Sequence, residues 1–352
     1  MILASLLQLM VERGASDLFV SAGCVPQLRI EGSTRRVGRQ PLAAPSLAQA
    51  LEEMTGERER RLYARRRELE FSYEAEGIGR FRVAAFQQQD QPAFVFRYVH
   101  PAVPRLDDLG LPPVLRELAV QRRGLILVVG PTGSGKSTTL AAMLQHRNAS
   151  LPGHILTIED PIEFHLASER AIVNQRELGR DTLSYRNAMQ SALRSSPDVL
   201  MVGEVRDRPT MAAAMELAGS GHLTLSTLHA NSAPQALDRI VNLYPPELHK
   251  QLKLDLAAYL RAVISQRLVL ATDGRRIPAV EVMLNTPYVA DLIGKGQFDK
   301  LTAAMEDSRV EGMLDLDGAL HALYREGRVS QEEALSHAVS RPNLDARINF
   351  NG

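Results

Sequence analysis

The sequence predicts a two-domain α/β protein, in which a domain with an antiparallel sheet precedes a core with a parallel sheet and C-terminal helices. Three observations support this prediction. The 352 residues are too many for one ordinary core and suit two. Alternating apolar and polar runs follow one another directly over 69–99, whereas short apolar runs after residue 124 are separated by helical stretches. A proline-rich linker, 101–113, divides the two patterns.

The first domain, residues 1–100, is expected to contain both helices and strands. Apolar residues at helical spacing predict helices over 2–13 and 46–67. Alternation between turn residues predicts strands over 17–21, 27–31, 69–75, 80–88 and 93–99. Because no helices separate the last three runs, their sheet is predicted to be antiparallel.

The core, residues 114–285, is expected to contain a parallel sheet covered on both faces. Apolar runs over 125–129, 155–158, 199–202 and 223–227 alternate with helical stretches that include 114–121 and 138–146. From residue 286 to 352 the chain becomes polar and helical, which predicts a C-terminal helical subdomain.

Composition excludes several classes of protein. Lys+Arg and Asp+Glu are both 41, so the zero net charge gives no global electrostatic argument for a nucleic-acid or membrane binder. Cys24 is the single cysteine, which excludes a disulfide framework and a multi-cysteine zinc site. The chain lacks a run of about 18 apolar residues, so no transmembrane segment is expected and a cytoplasmic protein is favoured.

The strongest motif is Gly-Pro-Thr-Gly-Ser-Gly-Lys-Ser over 130–137, which matches G-x-x-x-x-G-K-[ST], the P-loop or Walker A motif. An apolar strand leads into it and a helix is expected to follow. Its lysine is the only one before residue 250. The motif predicts phosphate binding by backbone amides and the helix N-terminus. The residues expected to bind a nucleotide are Gly130, Thr132, Gly133, Ser134, Gly135, Lys136, Ser137 and Thr138.

Two acidic segments follow apolar strands further along the chain. The first runs from Glu159 through Asp160 to Glu163, and the second contains Glu204. Carboxylates at the carboxyl ends of parallel strands lie where ligands bind in such sheets, and could hold Mg²⁺ or position water. A capping or solvent-exposed role is the alternative for each.

Two histidines, His222 and His229, bracket a further apolar strand. A histidine at a strand end can donate a hydrogen bond to a phosphate oxygen. A structural role is the alternative for both, while metal ligation is weakly supported because no cysteine or acid lies at ligand spacing.

The P-loop, the two acidic segments and the segment bracketed by the two histidines follow one another in this order along the chain. Together they resemble the segments of the type IV pilus retraction ATPases, PilT and PilU, which are secretion-type hexameric motors. The resemblance extends over nearly the whole chain. It implies a PAS-like first domain, a RecA-like core, Mg-dependent ATP hydrolysis in a homohexamer, and a function in twitching motility.

The resemblance also implies roles for individual residues. Glu163 would polarise the attacking water and Glu204 would act through Mg²⁺ together with Ser137, although either glutamate could be the catalytic base. His222 would contact the γ-phosphate, with His229 behind it. Arginines of the first domain, Arg82 or Arg80 together with Arg97, would approach the phosphates; surface ion pairs are the alternative for these arginines.

Within the family, the chain begins at the PAS-like domain and lacks the four-cysteine element, which argues against an extension motor. The principal retraction motor has two arginines in a C-terminal motif where Ala290 and Gly294 stand here. Gly219 and Ser220 likewise replace the usual Glu-Thr. By contrast, the stretches 140–148 and 335–350 resemble the accessory PilU-like ATPases, which favours an accessory retraction ATPase.

The expected partners are a PilT-like sister ATPase and a PilC-like platform protein, reached from the cytoplasmic side of the inner membrane. A principal motor and a non-catalytic subunit that assists another motor stay open. A nucleic-acid motor, which would need a basic stripe or stacking aromatic residues, is disfavoured because the net charge is zero and only 5% of the residues are aromatic.

Overall fold

A computed structural model describes residues 2–30, 32–99 and 103–350. The chain divides into two compact units, one of residues 1–102 with 163–165 and one of residues 103–162 with 166–352. Positions 101–102 of the expected linker lie outside the described residues. Further along the linker, Leu106–Leu109 forms a 3₁₀ helix in which Leu106 is buried in an apolar cluster, so this part is not extended chain.

The first unit combines three helices with one sheet. The helices are α1 (Ile2–Glu12), α2 (Ala44–Met54) and α3 (Glu57–Arg66). The strands are β1 (Asp17–Ser21), β2 (Gln27–Ile30), β3 (Ser33–Arg36), β4 (Glu68–Ala75), β5 (Gly79–Gln88) and β6 (Gln91–Val99). They form a six-stranded sheet in the order β3-β2-β1-β6-β5-β4, and every neighbouring pair is antiparallel. The antiparallel sheet is therefore confirmed.

The helix expected over 46–67 is wrong as a single element, because α2 and α3 are separate. Thr55 is extended, with φ −125° and ψ 147°, and its hydroxyl donates to the carbonyl oxygen of Leu51 at 2.5 Å. Gly56 then precedes the first turn of α3. The strand β3 was not predicted, since all four of its residues are exposed and carry no apolar pattern. Glu31, expected to end a strand, lies outside the described residues.

The second unit contains the remaining elements. Its helices are α4 (Val114–Ala119), α5 (Lys136–Ser150), α6 (Tyr185–Ala192), α7 (Arg208–Gly219), α8 (Ala233–Asn242), α9 (His249–Tyr259), α10 (Pro287–Lys295), α11 (Leu301–Glu306), α12 (Leu316–Arg325), α13 (Gln331–His337) and α14 (Arg341–Phe350). Short 3₁₀ helices also occur at Pro246–Leu248 and Phe298–Lys300. Its strands are β7 (Gly124–Val129), β8 (Gly153–Glu159), β9 (Ala171–Glu177), β10 (Val199–Val202), β11 (Leu223–Leu228), β12 (Leu260–Leu270) and β13 (Arg276–Leu284).

The seven strands form one sheet in the order β13-β12-β7-β11-β10-β8-β9. All neighbours are parallel except β12 and β13, which form an antiparallel hairpin that the sequence did not predict. Side chains of β7 alternate between two apolar clusters, with Leu127 in one and Ile126 in the other. Apolar residues thus cover both faces of the central strand, which explains its uninterrupted apolar sequence.

The parallel strands place their carboxyl ends along one side of the sheet, which we call the carboxyl edge. Gly130, Gly203 and His229 directly follow β7, β10 and β11, and Glu159 ends β8. The opposite side, the amino edge, contains Gly124 and Leu223, which pair in the β7–β11 register. Across the part of the chain that the structure describes, no helix has the length and apolar character needed to cross a bilayer.

Candidate active site

The loop 130–137 joins β7 to α5 at the carboxyl edge. Gly130, Gly133 and Gly135 have φ values of 154°, 79° and 88°, a region that favours glycine because a side chain would be strained there. Helix α5 starts at Lys136 and has no acidic residue in its first turn. The free amide groups and the positive end of the helix dipole therefore meet an anion without a competing carboxylate.

The lysine of the motif lies over its own loop. Lys136 Nζ donates to the carbonyl oxygens of Gly130 at 3.0 Å and Pro131 at 2.9 Å. Ser134 is only 2% exposed, and its Oγ has no hydrogen-bond partner in the structure. An orphaned buried hydroxyl, a lysine and a helix N-terminus in one loop are a donor set that fits a polyphosphate.

The other predicted nucleotide-binding residues of the loop are more accessible. Thr132 and Gly133 are exposed at its tip, while Ser137 and Thr138 are half-buried in the first turn of α5. Their contacts with a nucleotide stay predictions.

One residue that sequence reasoning missed holds this loop from the side. Gln266, on β12, is 3% exposed and connects two parts of the motif region. Its Oε1 accepts from Thr139 Oγ1 at 2.7 Å, and its Nε2 donates to the carbonyl oxygen of Ser134 at 2.7 Å. Gln266 lies more than 120 positions from both partners, so no local pattern could have revealed the contact.

The first acidic segment begins at the end of β8. Glu159 is buried, and its Oε1 accepts from Thr157 Oγ1 at 2.7 Å and from Gln175 Nε2 at 3.0 Å. Asp160 and Glu163 are exposed, and Glu163 groups with the first compact unit. Glu159 is thus held in place by neighbouring side chains, while a role for Glu163 towards the P-loop stays a prediction.

The second acidic segment and the second histidine meet at the same edge. Glu204 Oε1 lies 3.0 Å from His229 Nε2, and Glu204 Oε2 accepts from Arg206 Nε at 2.7 Å. Thr227 Oγ1 donates to the carbonyl oxygen of Gly203 at 2.6 Å, which ties the end of β11 to the loop after β10. The structure therefore brings two predicted site residues, Glu204 and His229, into direct contact.

Tyr185 lies near these acids and was also missed by sequence reasoning. Burial raises the pKa of its phenol above the usual value, and the carboxylate of Asp160 raises that pKa further, while Arg206 acts in the opposite direction. The phenol therefore stays protonated at neutral pH and can donate a hydrogen bond. No motif in the sequence marks this residue.

His222 lies at the amino edge, away from the P-loop. Its carbonyl oxygen accepts from the amide of Gly124 at 3.0 Å, and its Nδ1 is 3.1 Å from Ser220 Oγ and 3.2 Å from the carbonyl oxygen of Leu217. The six residues of β11 lie between it and His229, and seven steps of roughly 3.3 Å per residue separate the two histidines by about 23 Å. A strand places its two ends at opposite edges, so His222 lies away from the P-loop of its own chain, and its contact with a γ-phosphate stays a prediction.

The predicted arginines lie on the sheet of the first unit and are engaged by acids there. Arg82 Nη2 is 2.8 Å from Glu70 Oε2, and Arg97 Nη2 is 2.9 Å from Asp17 Oδ1. Arg80 lies on β5, two residues before Arg82. The two pairs agree with the ion-pair alternative, and a role of the arginines towards phosphates stays a prediction.

A protein-only metal site is absent from the part of the chain that the structure describes, where no three His, Cys, Asp or Glu side chains are grouped to hold a metal. Mg²⁺ prefers an octahedral shell of oxygen ligands and is often bound by one or two protein groups together with phosphates and water. Ser137 and Glu204 would therefore hold it only together with the oxygens of a bound nucleotide.

Comparison with known proteins agrees with this geometry. A family profile described as "Type II/IV secretion system protein" matches residues 2–292. The type IV pilus ATPase PilU of Pseudomonas aeruginosa is 45% identical over 97% of this chain and 90% of its own length. The type IV pilus retractation ATPase PilT of the same organism is 40% identical over 97% of this chain and 99% of its own.

A solved structure shows the same architecture. The pilus retraction motor PilT with bound ADP has a TM-score of 0.92 at 34% identity and covers 97% of this chain and 98% of that one. The α/β fold is thereby confirmed, and a nucleotide-binding relative shares it along its length. The family match and these identities show that the chain is an ATP hydrolase of the type II/IV secretion family and belongs to its type IV pilus retraction ATPases.

Proposed function

We propose that this retraction ATPase acts as an accessory, PilU-like motor in twitching motility. It would form a homohexamer at the cytoplasmic face of the inner membrane and work beside a PilT-like sister ATPase on a PilC-like platform protein. The observation that supports the subtype is a pair of small residues on α10, together with the higher identity to the PilU relative.

Helix α10 carries small residues where the principal motor is expected to have arginines. Ala290 and Gly294 are four positions apart and therefore lie on one face of the helix. A Cβ at Gly294 would be 3.8 Å from Leu254 and 3.9 Å from Ala257, both on α9. The position thus faces apolar side chains and presents no guanidinium to a partner, which favours a motor that depends on another ATPase.

The catalytic proposal rests on the carboxyl edge. Lys136 and the amides of the P-loop bind the phosphates of ATP, while Ser137 and Glu204 hold its magnesium ion. Bound Mg²⁺ supplies charge neutralisation at the phosphates. His229 and Arg206 orient the Glu204 carboxylate through their bonds to its two oxygens.

Two carboxylates, Glu204 and Glu163, are candidates for the general base. Glu204 is 19% exposed at its side chain and already oriented, whereas Glu163 is exposed and belongs to the first compact unit. Replacing each by glutamine removes the charge while keeping the shape. The variant that retains ADP affinity but loses hydrolysis by about 10²-fold or more identifies the base, a loss in the range known for general-base groups.

The functional experiment uses a strain from which the gene is deleted. Twitching and the load against which pili retract are measured after complementation with the wild type or with Glu204→Ala. We expect the wild type to restore both and the variant to restore neither, since the proposal requires hydrolysis by this chain. Full rescue by Glu204→Ala would instead support the non-catalytic alternative.

The principal-motor alternative is tested in a strain that also lacks the sister ATPase. An accessory motor leaves that strain without retraction, whereas a principal motor restores twitching by itself. The ring is tested separately by sedimentation of the purified protein at micromolar concentration with Mg-ATP and the sister ATPase. A protein that stays monomeric under these conditions contradicts the hexamer.

A further inference from the structure

We propose that Gln266 is a positioning residue that sets the shape of the P-loop before nucleotide binds. The inference concerns ATP hydrolysis by this chain and does not depend on its part in pilus retraction. It rests on the buried side-chain amide of Gln266, which connects β12 both to the P-loop and to the first turn of α5.

The register of the sheet places this amide beside the loop. Ser265 pairs with Val129, the last residue of β7, so the next residue on β12 lies alongside the start of the loop. From there the Gln266 side chain reaches Ser134 in the loop and Thr139 in the helix. The contact therefore crosses the point where strand, loop and helix meet.

Both the NH₂ group and the oxygen of the Gln266 amide form hydrogen bonds. The NH₂ group can only donate, and the oxygen can only accept. The NH₂ group donates to the carbonyl oxygen of Ser134 at 2.7 Å, and the amide oxygen accepts from the Thr139 hydroxyl at 2.7 Å. Ser134, Thr139 and Gln266 are all at most 3% exposed, so water cannot replace either bond. The glutamine supplies the donor that the Ser134 carbonyl oxygen requires and an acceptor for the Thr139 hydroxyl.

The close approach of β12 also accounts for two glycines of the loop. A Cβ at Gly135 would lie 2.8 Å from Gln266 Nε2, and a Cβ at Gly130 would lie 2.4 Å from the Gln266 carbonyl oxygen. These positions exclude side chains because of β12 as well as because of their positive φ values. The loop is thus shaped against the neighbouring strand by the protein itself.

A loop that is already shaped binds phosphate without first having to be ordered, and this lowers the cost of binding. Loss of the Gln266 bonds would leave the Ser134 carbonyl and the Thr139 hydroxyl buried without partners. The loop would then sample conformations in which its amides no longer converge. The consequence is weaker nucleotide binding and faster solvent exchange of the loop amides.

The test compares Gln266→Met, which keeps the volume and removes both bonds, with Gln266→Glu and the wild type. The matched control is Ser265→Ala, which removes a hydrogen bond from the adjacent buried position of the same strand, to the carbonyl oxygen of Asn231. Hydrogen exchange of amides 132–137 is measured without nucleotide, and the dissociation constant for ADP is measured by titration. In Gln266→Met we expect amide exchange to be about 10-fold faster and ADP binding about 10-fold weaker. In Ser265→Ala we expect neither quantity to change by more than about 2-fold.

The pH dependence of Gln266→Glu separates positioning from general loss of structure. A protonated glutamic acid can donate to Ser134 and accept from Thr139 as the glutamine does, whereas the carboxylate cannot donate. Relative to the wild type at each pH, the ADP affinity of Gln266→Glu is expected to recover as the pH falls from 8.5 to 6, whereas that of Gln266→Met is not. Unchanged exchange and ADP affinity in folded Gln266→Met, or an affinity deficit in Gln266→Glu that does not depend on pH, would overturn the proposal.

Discussion

The two ends of strand β11 carry the same residue type in different surroundings. At the carboxyl end, His229 lies 3.0 Å from Glu204, at the edge of the sheet where the P-loop follows β7. At the amino end, the His222 ring contacts Ser220 and the carbonyl oxygen of Leu217, close to where α7 ends. One histidine therefore belongs to a candidate active site and the other to a helix end, although both flank the same short strand.

Two buried side chains at the carboxyl edge and the ring of His222 at the amino edge also differ in how far along the chain their hydrogen-bond partners lie. At the carboxyl edge, Gln266 bonds to Thr139, and Glu281 accepts from the amide of Ala233, 48 positions away. The ring of His222, at the amino edge, contacts groups two and five positions away. Long-range contacts hold the site together, so substitutions at the two edges are expected to have different consequences.

The largest effect is expected from Lys136→Ala, which removes the ammonium group from the P-loop. Hydrolysis should fall by about 10²–10³-fold, which is the usual loss when one hydrogen-bond donor to the charge that develops in a transition state is removed. Phosphate release by the purified protein measures it. The control is Lys250→Ala, at an exposed position of α9, which should keep the wild-type rate. Turnover within a few-fold of wild type in Lys136→Ala would reject the P-loop assignment.

A second prediction compares the two ends of β11 directly. His229→Gln removes the ring that orients Glu204 and should lower hydrolysis by about 10–100-fold, as for other groups that orient a metal-linked carboxylate. His222→Gln should change hydrolysis by less than about 3-fold and cost about 1 kcal/mol of stability through its lost hydrogen bond. Steady-state kinetics and chemical unfolding of the two variants give both values.

The comparison between the edges would fail if His222→Gln lost as much activity as His229→Gln while remaining equally stable. In that case His222 would act on a nucleotide held by another chain, because its own P-loop lies at the opposite edge. Measuring hydrolysis in mixtures of the two variants then distinguishes a contribution across chains from one within a chain.

The smallest effect on activity, and the clearest on stability, is expected at Glu281. Burial raises the pKa of this carboxyl to about 7 from 4.5, although its hydrogen bond from the Ala233 amide acts to lower it. The folded protein therefore keeps a proton that the unfolded chain releases between pH 4.5 and 7. Stability falls as the pH rises through this window, by about 3 kcal/mol in total.

Glu281→Gln keeps an oxygen that can accept from Ala233 and removes the titration. Its free energy of unfolding should match the wild type near pH 4, below both pKa values, and exceed it increasingly up to pH 7.5, by up to about 3 kcal/mol. Urea unfolding at a series of pH values measures the difference, in which the titration of all other groups cancels. A difference that is constant with pH would show that Glu281 titrates alike in both states.

Sequence patterns predicted the parts of the molecule whose causes are local. The alternation of β5 and β6 and the buried runs of β7, β10 and β11 follow from which faces are covered, and both sheets were found on that basis. The hairpin of β12 and β13 was missed because buried polar residues, Gln266 and Glu281, interrupt its apolar pattern. Their partners lie on distant parts of the chain, so only the fold explains them.

As with the fold, the sequence predicted only those parts of the candidate site that depend on local residues. The P-loop motif is a local turn with its own φ requirements, and the sequence located it. The contact of His222 with a γ-phosphate stays a prediction, and the six-residue strand between the two histidines places it at the edge opposite the P-loop of its own chain. Gln266 and Tyr185 carry no local pattern and required three-dimensional structure.

The contacts of Lys136 have a consequence for the free energy of phosphate binding. Its ammonium group already donates to the carbonyl oxygens of Gly130 and Pro131 in its own loop. A phosphate that binds this lysine therefore replaces existing hydrogen bonds, and only the difference between the two sets contributes to affinity.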